Sequence, residues 1–432
     1  MSLTEKAKEL YRGEALAPMV RASTTPLRIL ALKYGADYVY TEELVDRALS
    51  ETIRVENPTL QTIDFVKDTT KLSKKVLRKL GNEPALILRI DRKLERGKLV
   101  CQLGTGEPEL ALPAVLHVKN DVDAFDINMG CPKKFSVSGG MGSALLADPE
   151  RACRIVKSLR DHLDDHPVSC KIRLLKDTQS TVDFVSALVN AGAHAIAIHA
   201  RQPGDDCTRP AHWDDLEEVV PLIKSKFPSL PLLINGDFYT RQEFTEFQTK
   251  HGTSGVLLAR PALYNTSIFR KPPTIVVDDN NDSVLPPPVV YGYDSPLLLD
   301  KTTVVQDYLR ESTRYNTHYK NVKYVVGEMM TNRRTPTWRV PKMPMTFSGL
   351  QSISKTCNCN STEELCKLWD VQYSSQYRRH TETTTLPAGE HKYDDAYILK
   401  GEEGAVAQPS SSTISTEEPQ SKRAKVENGT TS

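Results

Sequence analysis

The stretch "VSCKIRLLKDTQSTVDFVSALVNAGAHAIAIH", residues 168–199, decides the fold. Short apolar runs of strand length stand at its two ends, "VSCKIR" at 168–173 and "HAIAIH" at 194–199. Between them "STVDFVSALVNAG" at 180–192 reads as a helix closed by Gly192, the residue that most readily takes the left-handed turn at a helix end. Strand, helix and strand in so short a space is one repeat of a parallel βα architecture.

The same alternation runs outward from residue 15 to about 260. Its other strand-like runs are "ALAPMV" at 15–20, "DYVYTE" at 37–42, "LVCQLG" at 99–104, "AFDINM" at 124–129, "PLLIN" at 231–235 and "GVLLA" at 255–259. Helices of the same repeat are legible in "TPLRILALKYG" at 25–35 and "DPERACRIVKSLRDHL" at 148–163. Eight strands in this spacing predict an α/β chain built on a (β/α)8 TIM barrel. The run "PALILRI" at 84–90 is surplus to eight and reads with its neighbour as a hairpin entering the third strand.

The expected organisation is a catalytic barrel over 1–271, a Pro- and Asp-rich linker over 272–297, a small all-α domain over 298–378 and a disordered tail over 379–432. Between 300 and 342 there are nine Lys or Arg against four Asp or Glu, with tyrosines interleaved, a pattern that suits either a solvated helical surface or a cradle for an RNA backbone. A formal net charge of +1 gives the whole chain no electrostatic preference, so any nucleic-acid partner has to be held by such a local patch. No run approaches the roughly 18 apolar residues of a membrane span. The polar N-terminus is unlike a signal peptide, and eight cysteines without framework spacing suit a reducing compartment, so a cytoplasmic monomer is expected. The cluster "SKRAKVE" in the tail offers a nuclear address as the alternative.

In such a barrel the chemistry sits where strands give way to loops at their C-terminal ends. Gln102, Asn128, Lys171, His199, Asn235 and Arg260 occupy those positions on six different strands. "NGD" at 235–237 and "LLARPALYNTSIF" at 257–269 follow the last two strands, the usual phosphate site of this fold. A phosphate-bearing cofactor fits there, gripped by Arg260, with Lys171 placed to stabilise negative charge on a reduced ring. "SGGMGSALL" lacks the Lys-Ser/Thr of a P-loop. His162 and His166 lack the Glu of a zincin, and Cys357, Cys359 and Cys366 lack a fourth ligand, so no metal is expected.

"APMV" at 17–20, "INMGCP" at 127–132, "GGMGSALL" at 139–146, "KIR" at 171–173, "IHAR" at 198–201, "NGD" and "LLARPAL" together resemble the dihydrouridine synthases, flavin enzymes that reduce uridine in tRNA. "YLRESTRYNTHYKNVKYVVGEMM" at 308–330 is similar to that family's helical domain, and the details look most like the eukaryotic type-2 enzymes acting on position twenty of the D-loop. The resemblance implies FMN at Pro18, Met19, Gln102, Lys171 and His199, with its phosphate at Asn235, Gly236, Asp237, Ala259 and Arg260. It implies NADPH as reductant, with NADH the alternative, and Cys131 as the acid that protonates uracil C5. Asn128 would meet the base, and Arg201, Arg310, Arg314, Lys320 and Lys323 would bind the tRNA substrate, with neither DNA nor membrane as partner. Many bacterial relatives carry Gly-Arg where this chain has Ala259-Arg260, and the double-stranded RNA-binding domain of animal type-2 enzymes is not legible beyond residue 380.

Overall fold

The computed structural model describes residues 1–71, 85–205, 207–271, 297–331 and 352–373. The expected linker, save Leu297, and the whole of the expected tail with its basic cluster lie outside these residues.

Eight parallel strands form the centre: β1 (Gly13–Leu16), β2 (Tyr38–Tyr40), β3 (Leu99–Gly104), β4 (Ala124–Asn128), β5 (Val168–Arg173), β6 (Ala195–His199), β7 (Leu232–Asn235) and β8 (Gly255–Leu258). Each pairs with the next, and β8 pairs back onto β1 with Ala15 opposite Leu257, so the sheet closes into a barrel without an edge. Seven of the strands lie within the apolar runs read from the sequence, and β1 overlaps its run at Ala15 and Leu16.

Period-two alternation divides every strand between two cores. Ala15, Ala17, Tyr38, Tyr40, Val100, Ala124, Ala195, Ala197, Leu233 and Leu257 fill the lumen, and Ala7 and Tyr11 from the N-terminal helix Leu3–Leu10 and its cap close the lower end. Bulk is matched across the barrel: Tyr38 and Tyr40 on β2 face the side of Ala195 and Ala197 on β6, four strands away, and the Tyr11 ring meets Tyr38 edge-on at 5.8 Å. The opposite parity, including Val39, Phe125, Ile127, Ile172, Ile198 and Ile234, faces out against the helices.

The surplus run belongs to a separate three-stranded antiparallel sheet, Thr52–Asn57, Thr62–Lys67 and Leu86–Ile90. The predicted hairpin therefore pairs with Thr62–Lys67 and not with the third barrel strand. The first two strands of this sheet escape a reading of the sequence because their alternation is largely polar, and Ile53 and Val55 are left exposed.

Helices Lys301–Arg314 and Tyr319–Thr331 bury Val304, Val305, Tyr308, Leu309, Val322, Val325, Val326 and Met329 in the same continuous core as the barrel's outer layer. Polar clamps fix that contact. Tyr34 Oη donates to Asp307 at 2.6 Å, Lys33 pairs with Glu311, and Tyr315 Oη donates to Asp91 at 2.6 Å. Arg89, paired with Asp64 at 2.6 Å, also donates to the Tyr315 carbonyl.

Below that contact Arg28 pairs with Glu95 at 2.6 Å, both fully buried. Removing one partner strands the other charge in the interior. Glu95→Ala should lower the unfolding free energy by about 3–5 kcal/mol in a denaturant titration, whereas the double change Arg28→Met with Glu95→Leu should recover most of it.

Candidate active site

The strand ends converge because the residues that close β3 to β7 share the lumen parity. A hydrogen-bonded chain runs up the lumen to the mouth. Tyr11 Oη donates to Ser169 Oγ at 3.0 Å, and Ser169 donates to Asp126 Oδ1 at 2.6 Å. Gln102 Nε2 donates to Asp126 Oδ2 at 2.8 Å, and Asn128 Nδ2 donates to Gln102 Oε1 at 3.3 Å. Asn128 Oδ1 then accepts from the backbone N–H groups of Gly130 at 2.9 Å and Cys131 at 3.0 Å. Asp126 is wholly buried, and burial raises its carboxyl above the usual range against the pull of those two hydrogen bonds and of Lys171. The sequence pattern does not single out Asp126; its one signal is a carboxylate at lumen parity inside an apolar strand.

Asn128 is thereby committed to the turn that carries Cys131. One N–H of its amide is left for a base.

Cys131 sits half-buried at the tip of that turn. Burial first, and the neighbouring Glu43 carboxylate second, push its thiol up to about 12. The group is therefore a neutral S–H across the physiological range, a stronger version of the protonated thiol expected from sequence. The glycine-rich segment behind it folds back tightly, with Ser143 N–H donating to the Cys131 carbonyl at 2.9 Å.

At the other side of the mouth stands a cluster of cations. Lys171, Arg173, Arg201 and Arg260 surround His199, and burial together with these charges holds its imidazole well below the ordinary range, so it is neutral. Lys171 Nζ donates to Asn235 Oδ1 at 3.2 Å, and burial, then Arg173, lower its ammonium. Asn235 Nδ2 donates to the Leu257 carbonyl at 2.7 Å, which ties β7 to β8. Gly236 and Asp237 follow with φ of 130° and 53°. A cavity of about 100 Å³ opens here among His199, Arg201, Gly236, Ala259 and Arg260. Pro18 and Met19 close the ring of strand ends after β1, both half-buried.

Two residues stand differently from their expected roles. Arg201 is buried beside His199 at 3.3 Å and donates to Asp237 at 2.5 Å, so it belongs to this cationic cluster, not to the base side near Cys131. Asp237 turns its carboxylate onto Arg201 and Arg260, so only its backbone is free to face an anion. On the helical part, Arg310 pairs with Asp307, Arg314 lies near Glu311 and Asp91, and Lys320 is exposed. Lys323 instead donates to the carbonyls of Cys357 at 3.0 Å and Cys359 at 2.9 Å, closing the end of the helix Ile353–Asn358. Its ammonium is thus engaged in holding two helices together. Among the described residues no His, Cys, Asp or Glu cluster could hold a metal ion, and no helix is long and apolar enough to cross a membrane.

Comparison with known proteins places these features in context. The model of the family described as Dihydrouridine synthase matches residues 15–340. A curated relative from Schizosaccharomyces pombe, named tRNA-dihydrouridine(20) synthase (NAD(P)+), is 34% identical over 321 residues, covering 73% of this chain and 59% of its own length. One of the same name from Saccharomyces cerevisiae is 32% identical over 334 residues, covering 75% and 78%. A tRNA-dihydrouridine(20a/20b) synthase from Schizosaccharomyces pombe is 28% identical over 254 residues, covering 59% and 67%.

The environment of Cys131 makes its reactivity testable without any substrate. With iodoacetamide at pH 8, the exposed Cys207 and Cys357 should be modified first and Cys131 hardly at all, because only thiolate attacks. Peptide mass mapping at increasing pH should show Cys131 labelling rise about tenfold per pH unit. Rapid labelling of Cys131 at pH 8 would contradict the buried, carboxylate-facing thiol.

Proposed function

The chain belongs to the dihydrouridine synthase family, and on that premise we propose that it reduces the C5=C6 bond of a uridine in the D-loop of tRNA, at position 20, with NADPH or NADH as reductant and FMN as the bound cofactor. The observation that carries the reading is the pairing, in one barrel mouth, of a neutral thiol with a cationic cavity. An anion fits that cavity: Arg173, Arg201 and Arg260 line it, and the buried Nε of Arg201 makes no hydrogen bond.

Asn235, Gly236, Asp237, Ala259 and Arg260 would hold the FMN phosphate, joined by Arg201, while Pro18, Met19, Gln102, Lys171 and His199 would border its ring. When bound, the flavin supplies the hydride that uracil C6 receives. The chain's own residues do the rest. Lys171 places positive charge where reduction creates negative charge. The Cys131 thiol gives its proton to C5, and its neutrality is what that task needs, since a thiolate has no proton to give. Asn128 fixes the turn that aims the thiol, and its remaining N–H meets the uracil edge of a base drawn out of the RNA fold.

The same reading makes residues 1–271 the catalytic unit and 298–378 the tRNA-holding one, with Arg310, Arg314 and Lys320 meeting phosphates and Lys323 acting through the helix it closes. The chain works as a cytoplasmic monomer in this reading.

Incubation with unmodified tRNA, FMN and NADPH should add two hydrogens to a D-loop uridine, located by mass spectrometry of nuclease fragments. Equal turnover on free uridine would point instead to a small-molecule reductase. Arg310→Ala, Arg314→Ala and Lys320→Ala combined should weaken tRNA binding and flatten its salt dependence by roughly one unit of log–log slope for each phosphate that the variant no longer neutralises. NADPH oxidation should stay unchanged in that variant, and an unaltered salt slope would remove the helical surface from the account.

A further inference from the structure

We propose that Glu43 is the positioning residue of Cys131: it keeps the thiol protonated before each reaction and returns the proton that the thiol has given away. The inference rests on the reading of Cys131 as the acid and extends it to a residue that no motif named.

Glu43 follows β2 at the rim, where Leu44–Val45 pairs with Leu103 and Gly104 of β3. This short pairing sets the Glu43 carboxylate where its charge bears on the Cys131 thiol, and Ser136 Oγ donates to the same carboxylate at 3.3 Å. Three side chains from two distant segments thus meet in one spot.

Two glycines keep that spot open. A Cβ on Gly104 would lie 2.8 Å from Glu43 Oε1, so any larger residue would evict the carboxylate. A Cβ on Gly142 would lie 2.4 Å from Ser136 Oγ and 2.5 Å from the Cys131 carbonyl oxygen, and Gly142 has φ of 59° besides. Gly104 thus leaves room for the carboxylate, and at Gly142 both the backbone conformation and the close approach of the Cys131 carbonyl require glycine.

Every charged group facing the pair bears on its protons. Lys133 and Lys171 face Glu43, while Cys131 is faced by Glu43 and by the cations Lys171 and Arg173. Burial raises the Glu43 carboxyl, against the hydrogen bonds from Cys131 and Ser136 and the two lysines, so it takes up a proton more readily than an exposed carboxylate. A carboxylate there repels a thiolate, which keeps Cys131 as S–H. When C5 of the reduced uracil takes the proton, the Sγ–H bond breaks, the C5–H bond forms and the electron pair stays on sulfur. The Glu43 carboxylate then takes a proton from water and passes it to sulfur, its new O–H bond breaking as S–H re-forms. Each dihydrouridine thus consumes one proton of solvent, and no further oxidant or reductant is needed.

Glu43→Gln keeps the shape and removes both the charge and the proton. In the full-length protein the iodoacetamide labelling of Cys131 at pH 9 should rise roughly tenfold, the effect of one unit of thiol pKa lost with the neighbouring charge. In turnover, kcat should fall while the KM for tRNA holds, and the loss of rate at high pH should set in at lower pH than in the parent. A purely structural role would scale the rate equally at every pH and leave that limb in place. Glu43→Asp, which retains the charge, should keep the parent's limb and guards against a Gln variant that does not fold. Unchanged labelling together with an unmoved limb in Glu43→Gln would overturn the proposal. Because labelling needs no substrate, its result stands whether or not the chain reduces uridine at all.

Discussion

Asp126 sets the terms for everything above it in the barrel. A carboxylate with no exposure to water must have its charge met by neighbours or lose it, and here Ser169 and Gln102 donate to its two oxygens. That commitment fixes the orientation of each amide in turn. With its NH2 on Asp126, Gln102 presents its oxygen to Asn128, which then must point its own oxygen at the N–H groups of Gly130 and Cys131. The direction of the reactive turn is decided from beneath, by alternating donors and acceptors and not by the flexible loop that follows it.

The two sides of the mouth have opposite electrostatic characters, and the separation matters. Around Cys131, burial and the Glu43 carboxylate favour a proton on sulfur, against the Ser136 hydroxyl. Around His199 they are four cations, which favour an anion and keep the imidazole neutral. One end is arranged to release a proton and the other to hold a negatively charged group. The helices beyond residue 300 sit on this barrel through a shared core and buried polar clamps, so a long RNA held on them has a fixed relation to the mouth.

What is legible in the sequence follows from periodicity. All eight barrel strands can be read because buried parallel strands are almost wholly apolar, and the polar residue closing each stands out against that background. Asp126 does not, since one carboxylate within "AFDIN" looks like an interruption until Ser169 and Gln102 are seen to converge on it. Glu43 is hidden for the same reason, being one of two adjacent carboxylates after a strand whose partner lies 88 positions on, at Cys131. Charge counts misjudge Lys323, whose ammonium is spent on carbonyls more than thirty residues away. A motif position for Arg201 likewise does not say that its guanidinium will find Asp237. Local pattern reports which face a residue takes, whereas the pairing of distant polar groups exists only in the folded chain.

The central claim is that Cys131 delivers a proton and does nothing else that the reaction needs. Cys131→Ala, loaded with FMN and reduced beforehand by NADPH, can be mixed with unmodified tRNA while flavin reoxidation and dihydrouridine are followed through a single turnover. The account predicts normal reduction by NADPH and normal tRNA affinity, with reoxidation by tRNA slower by about a hundredfold to ten-thousandfold, the range that general acid catalysis supplies. Reoxidation as fast as that of the parent protein would contradict it.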